Sequence, residues 1–188
     1  MASEDKPVTV KEALRAAKCN ENVTEELREQ MIMFMGDIPN YVGFAQTVSQ
    51  RVLTTEMYLY RREEEPNKWE AKTISECVVT PDMTNYGGMM HGGCTSYIVD
   101  ICTSVALALL QFHLGKVPLN VSQALNVMFH TPAPTGAKLK IISRTIVSGS
   151  RIQSTQCEIY DSTNSRLVAT GTHTKMETSI KPPPQSKL

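Results

Sequence analysis

Apolar and polar residues change period several times along the chain, and each change marks an element. Thr9 and Glu12 stand at the spacing of a capping box, which predicts a short helix over residues 9–18. A second helix is predicted from about Thr24. Leu27, Met31, Phe34 and Met35 recur on one of its faces, and Gly36-Asp37-Ile38-Pro39 stops it. That Met and Phe stripe reads as core packing or as a flexible lid over an apolar ligand. Residues 46–61 and 68–79 are rich in Val, Leu, Thr, Tyr and Ile and predict two strands, joined by the charged hairpin loop Arg61-Arg62-Glu63-Glu64-Glu65-Pro66-Asn67-Lys68. The most apolar stretch, residues 91–113, predicts a long buried helix. Strands are then predicted over 117–130, 137–147, 152–160 and 166–176. They are punctuated by the proline turn Thr131-Pro132-Ala133-Pro134-Thr135-Gly136 and by two short loops, Ser148-Gly149-Ser150 and Asp161-Ser162-Thr163-Asn164-Ser165. Gly171 inside the last strand signals a bulge or a close approach of another element.

The order of helices, two strands, one long helix and four strands predicts an α+β fold. A six-stranded antiparallel sheet has a face to cover, and only the 91–113 helix is long and apolar enough to cover it, so the sheet wraps around that helix. Three segments follow: an N-terminal helical extension over 1–45, one main domain over 46–177, and a Pro-rich tail over 178–188 expected to be disordered.

Composition narrows the function class. The chain has 188 residues, 41% apolar and 20% charged, enough for one full core. Nineteen basic and nineteen acidic side chains cancel, so there is no electrostatic case for nucleic acid or an anionic membrane as partner. Asp100, Thr103, Ser104 and Gln111 make residues 94–112 a poor membrane span. Five cysteines without a CxxC pair read as reduced core residues, with Cys94 as a second reading, a nucleophile near a helix start. His113, His130 and His173 have no metal-ligand spacing, so no metal is expected. The N-terminal residues carry early acids and no apolar signal region, which places the chain in the cytoplasm, with the mitochondrion as alternative.

Candidate chemistry concentrates at the start of the long helix. Between Asp82 and Lys116 the one formal charge is Asp100. A carboxylate in so apolar a run must find partners or a task, because burying it bare costs several kcal/mol or more. Upstream lies the Gly-rich loop Asn85-Tyr86-Gly87-Gly88-Met89-Met90-His91-Gly92-Gly93.

The motif Asn85-x-x-Gly88-x-x-His91-Gly92-Gly93, with Asp100 nine residues after the His, resembles the hotdog-fold thioesterases. The similarity is to their PaaI-like branch, the acyl-CoA thioesterase 13 type, and it covers roughly residues 46–177. It extends to Val121-Ser122, Thr131-Pro132-Ala133 and Gly171-Thr172-His173-Thr174-Lys175 in the same order. The resemblance implies a hotdog fold and hydrolysis of an acyl-CoA, with CoA part of the substrate and no separate cofactor. It assigns Asn85 to the water or carbonyl, and Ser122 to assisting near Asp100. His91 fixes the loop or takes part in catalysis. CoA contacts would come from Phe129, His130, Thr131 and Pro132 and from the hairpin Ser148, Gly149, Ser150 and Arg151, which carries fewer lysines than is usual in the family.

Thioester hydrolysis needs a polarised carbonyl and a base or nucleophile. The backbone N–H of Gly92, at the positive end of the helix, suits the oxyanion, and Asp100 suits the base or nucleophile. Each has a structural alternative: glycines that permit a tight turn, an Asp bonded to Ser or Thr hydroxyls, an Asn holding its own loop. Eight residues of helix separate Gly92 from Asp100 by roughly 12 Å, too far for one thioester carbonyl. An antiparallel partner helix would bring one subunit's Asp100 to the other's Gly92, so a homodimer or a dimer-of-dimers tetramer with shared sites is expected. The apolar helix and Met89-Met90 favour a medium- or long-chain fatty acyl group. The rival readings are a non-hydrolytic acyl-CoA or lipid-binding hotdog protein and, with less support, a dehydratase.

Overall fold

In the computed structural model, residues 7–36 and 43–178 are described; the predicted end of the second helix at residues 37–39 and the predicted tail fall mostly outside them. The central element is α4, Gly92–His113. It starts where His91, in an extended conformation, caps it: the Gly93 N–H donates to His91 Nδ1 at 2.9 Å. Its length and a mean hydropathy of 1.6 over its most apolar window would suit a membrane span, but here it is the core helix. Ile98, Val99, Cys102, Ala106, Leu107, Leu109 and Leu110 are all buried.

Around it runs a sheet in the order β1-β2-β3-β5-β6-β7-β4. The strands are β1 (Lys18–Cys19), β2 (Leu53–Arg61), β3 (Trp69–Val78), β4 (Asn120–Phe129), β5 (Lys138–Ser148), β6 (Ile152–Asp161) and β7 (Arg166–Glu177). All pairs are antiparallel except β1 with β2. The six predicted strands are present, and β1 is a seventh. At two residues it is too short to leave a periodic signal. The chain then extends the pairing with a side chain: Asn20 Nδ2 donates to the Leu59 carbonyl at 2.8 Å, and the Leu59 N–H donates to Asn20 Oδ1 at 3.2 Å.

The strand expected from residue 46 begins only at Leu53. Before it lies a short helix, α3 (Gln46–Ser49). Val48, within it, and Val52, just after it, are both buried, so tertiary packing overrides the β-favouring composition. Helices α1 (Val10–Ala16) and α2 (Glu25–Gly36) form where expected, and the Thr9–Glu12 capping box is complete in both directions. Leu27, Met31 and Met35 are buried with Ile32, whereas Phe34 turns outward and meets Phe112 edge to face at 5.6 Å. The stripe is core packing: it shares one apolar cluster with Leu14, Met57, Leu59 and the C-terminal half of α4.

The N-terminal half of α4 packs on β5, β6 and β7 through Ile141, Cys157, Ile159 and Ala169. It sits closest where small residues fall side by side across the sheet, in the row Thr73, Ser143, Cys157 and Gly171. A Cβ on Gly171 would lie 2.5 Å from Val99 Cγ1, and Val99 is fully buried. Gly171→Ala is therefore expected to cost about 1–3 kcal/mol through overpacking. The expected readout is a lower urea midpoint with an unchanged slope. Val99→Ala in the same chain should recover part of the loss, and simple additivity of the two changes would contradict the contact.

Candidate functional site

Two groups of polar residues lie along α4. The first surrounds its N-terminus. Asn85 Oδ1 accepts from the N–H groups of Gly87 (2.9 Å) and Met89 (3.3 Å), and the Asn85 carbonyl accepts from Gly88 N–H at 3.0 Å, with Gly88 at φ +70°. Only glycine takes that conformation at no steric cost. The proline turn pins the loop from the other side, with Met90 N–H on the Ala133 carbonyl and Thr135 N–H on the Gly88 carbonyl. Asn85 thus holds its own loop through its carbonyl oxygen and keeps its amide N–H groups for other partners. His91 spends Nδ1 on the Gly93 N–H. Among the described residues no acceptor takes the Gly92 N–H, so the glycine pair divides: Gly93 closes the cap, and Gly92 presents a donor at the positive end of the helix. The Phe129 ring lies beside it, 3.4 Å from where a Gly92 Cβ would stand.

The second group sits two turns on. The Asp100 carboxylate is 40% exposed in the single chain, where the sequence pattern suggested a more enclosed group. Its Oδ1 lies 3.5 Å from His173 Nε2 and 4.0 Å from Lys175 Nζ. His173 Nε2 is also 2.9 Å from Ser122 Oγ, so Ser122 and Asp100 converge on one ring nitrogen. Lys175 Nζ donates to Ser104 Oγ at 2.6 Å, and the Ser104 hydroxyl donates to the Asp100 carbonyl at 2.7 Å. Ser122 reaches the cluster from β4 beside a bulge that leaves Gln123 without a partner in β7. Burial and the neighbouring ammonium push the His173 pKa below its ordinary value, against the pull of Asp100, and burial also lowers that of Lys175. A groove of about 490 Å³ opens at Asp100, lined by Phe44, Gly93, Ser96, Tyr97 and Leu125. Tyr97 O–H donates to the Phe44 carbonyl at 3.2 Å and the two rings meet edge to face at 5.4 Å, so the segment before α3 forms one wall.

The resemblance includes His173 and Lys175 but implies no role for either. The signal was present: Gly171, His173 and Lys175 alternate onto the buried face of β7, where an ionisable pair is costly unless it is used.

The residues expected to contact CoA fall into two separate places. Phe129 pairs with Ala169, and His130 Nε2 lies 3.0 Å from Thr170 Oγ1, at the Gly92 end of the sheet. Thr131 and Pro132 follow directly. The hairpin Ser148, Gly149, Ser150 and Arg151 lies at the other end, where the Glu177 N–H donates to the Arg151 carbonyl at 3.0 Å. Eight residues of β7 separate Ala169 from Glu177, roughly 26 Å of strand. Within one chain the two segments are not brought together. The hairpin instead lies near the Asp100 cluster, since Gln153 pairs with Lys175.

Comparison with known proteins finds thioesterases of similar sequence and fold. The family model described as "Thioesterase superfamily" matches residues 87–168. Acyl-coenzyme A thioesterase 13 of Homo sapiens is 29% identical over 104 residues, which is 55% of this chain and 71% of that protein. Zebra fish thioesterase superfamily member 2 superposes with a TM-score of 0.64 at 22% identity, covering 80% of this chain and 97% of that one. The E. coli PaaI protein from the phenylacetic acid degradation operon gives 0.50 at 19% identity, covering 57% and 73%.

The alternative of Cys94 as a nucleophile is not supported by its setting. Burial pushes its thiol up to about 11, and the Asp82 carboxylate adds to the rise. Cys77 and Cys157 are raised to about 12 by burial. In the native protein at pH 7.5, iodoacetamide should modify Cys94 at least about 100-fold more slowly than a free thiol. Mass spectrometry of timed samples reads this, and rapid modification would restore Cys94 as a candidate.

Proposed function

We propose that this chain, a hotdog-fold member of the thioesterase superfamily, hydrolyses acyl-CoA thioesters to the free acid and CoA at sites shared between two copies. The observation that carries this reading is the placement of two complementary half-sites on one rigid helix. Gly92 offers an unshared N–H, and Asp100 offers a partly exposed carboxylate backed by basic and hydroxyl groups, roughly 12 Å apart. Neither half can hydrolyse a thioester alone.

A second copy related by a two-fold axis supplies what is missing. Strand β4 is the free edge of the sheet, ten residues long, with Val121, Leu125, Met128 and Phe129 exposed. A long apolar edge of this kind invites antiparallel pairing with its own copy. Such pairing sets one subunit's Asp100 opposite the Gly92 of the partner subunit. It also brings the Arg151 hairpin, near Asp100, towards the partner's Phe129–Pro132 segment, near Gly92, so both expected CoA contacts flank one composite site. The Arg151 guanidinium and the N–H groups of the hairpin suit phosphate.

In the reaction Asp100 takes a proton from water, and the water oxygen bonds to the thioester carbon. The developing oxyanion is held by the Gly92 N–H, and the C–S bond breaks as CoA leaves with its electron pair and takes up a proton. Ser122, beside Asp100 on the same ring nitrogen, favours an oriented water over direct attack by the carboxylate. Phe44, Tyr97 and Leu125 along the groove suit a medium- or long-chain fatty acyl group. A non-hydrolytic acyl-CoA binder is the alternative, favoured if the wild type binds acyl-CoA without releasing thiol.

Release of free thiol from a panel of acyl-CoAs tests the reading. Asp100→Asn should lower kcat by about 10²–10⁴-fold with the fold intact. Gly92→Pro should be equally inactive, since proline suits the first helical position yet removes the N–H. Mixing the two inactive variants under subunit exchange should restore about a quarter of wild-type activity, because half the dimers are then mixed and each holds one intact site. No recovery on mixing would contradict sharing.

A further inference from the structure

The polar cluster behind Asp100 fixes more than the position of a carboxylate, because its protons can be counted. Thr103 Oγ1 lies 2.7 Å from the Val99 carbonyl, 3.0 Å from the Asp100 carbonyl and 2.8 Å from His173 Nδ1. The Thr103 hydroxyl donates to the backbone, most closely to the Val99 carbonyl, and in that orientation it offers the ring a lone pair. A hydrogen on His173 Nδ1 completes that arrangement. At Nε2 the Ser122 contact serves in either direction, and the Asp100 distance favours an unprotonated nitrogen. Ser122 Oγ at 2.9 Å is a good hydrogen bond, whereas Asp100 Oδ1 at 3.5 Å is too long for an N–H to carboxylate bond, which would fall at about 2.7–2.9 Å.

We propose that His173 is a positioning residue: with its proton fixed on Nδ1 by Thr103, it accepts the Ser122 hydroxyl proton at Nε2 and so turns Ser122 into an acceptor for the attacking water. The consequence concerns the direction of attack. A water held between Ser122 Oγ and the Asp100 carboxylate, two acceptors, has both hydrogens engaged and its lone pair free for the carbonyl carbon. With the opposite tautomer Ser122 would receive from the ring and donate its proton to the water, occupying the lone pair that must attack.

The surroundings sustain this state. His173 is fully buried, and the charged groups facing it are Asp100 from α4 and Lys175 from its own strand. β4 and β6 present Ser122 and Thr155, neither ionisable in this range; Thr155 Oγ1 donates to the His173 carbonyl at 3.2 Å. Burial and Lys175 together keep the ring neutral to lower pH than an ordinary histidine. Lys175, held by Ser104, balances the Asp100 carboxylate without placing a donor on Ser122.

This rests on the acyl-CoA thioesterase reading, and the test separates the two. Long-range ¹H–¹⁵N spectra of the full chain without substrate report the tautomer: neutral His173 protonated at Nδ1 is expected, and protonation at Nε2 overturns the proposal. Hydrolysis of octanoyl-CoA and palmitoyl-CoA is then followed against pH. In the wild type kcat/KM should fall on the acid side as His173 protonates, below the ordinary histidine range. His173→Gln keeps an acceptor within reach of Ser122 but does not titrate, so it should retain part of kcat and lose that acid limb. Lys175→Met removes the charge that disfavours the imidazolium, so the limb should move to higher pH. Thr103→Val leaves the ring in place but frees its tautomer, and kcat should fall roughly 10- to 100-fold with KM little changed. It serves as the measurement if His173→Gln fails to fold. Wild-type acid limbs in every variant, with Asp100→Asn inactive, would overturn the positioning role and leave the thioesterase reading standing. No thiol release by the wild type would overturn that reading and this proposal with it.

Discussion

The arrangement depends on the rigidity of α4. Its 22 residues run from the His91 cap to His113, packed on the sheet along one side and, in the C-terminal half, against the N-terminal helices. Close-packed interiors do not bend to bring groups together. The Gly92 N–H and the Asp100 carboxylate are therefore held apart by the helix rise, and no side-chain rotation changes that. In the proposed reading one chain carries two incomplete halves, and a two-fold partner completes both at once.

Placing such chemistry in a hydrophobic core sacrifices stability. His173, Lys175, Thr103 and Thr155 occupy buried positions of the sheet and helix that apolar residues would fill without any hydrogen-bond requirement. Each buried polar group loses solvation, recovered only where it is paired. The cluster is paired closely: ring to threonine and serine, ammonium to serine, serine to backbone carbonyl. Removing one member would leave another unpaired, so the group stands or falls together. The proposed proton on His173 Nδ1 rests on that rigidity.

Much of this was legible in the sequence because it was written in local pattern. The capping box at Thr9, the α4 span, the hairpin turns and the close approach at Gly171 each follow from residue types a few positions apart. What was missed lies where distant segments meet. Strand β1 exists because β2 offers an edge, and α3 exists because Val48 and Val52 both reach the core. The roles of His173 and Lys175 depend on partners about 70 residues away in α4. The two groups expected to contact CoA lie beside different ends of β7, a fact that strand register settles and spacing cannot.

The N-terminal segment bears on the shared-site proposal through the edges of the sheet. A sheet with two free edges can pair head to tail without limit, whereas one free edge pairs with its own copy and stops. Here β1, Asn20 and Asn22 occupy the outer edge of β2, with Asn20 and Asn22 both donating to the Leu59 carbonyl. Helices α1 and α2 anchor that cover in the core shared with α4. The opposite edge, β4, carries Ser122 and the apolar residues beside the Asp100 groove and is left open. Closing one edge within the chain directs self-association to the other. Under the shared-site proposal, that is the edge whose pairing would complete both halves, and the cover on β2 would direct association there.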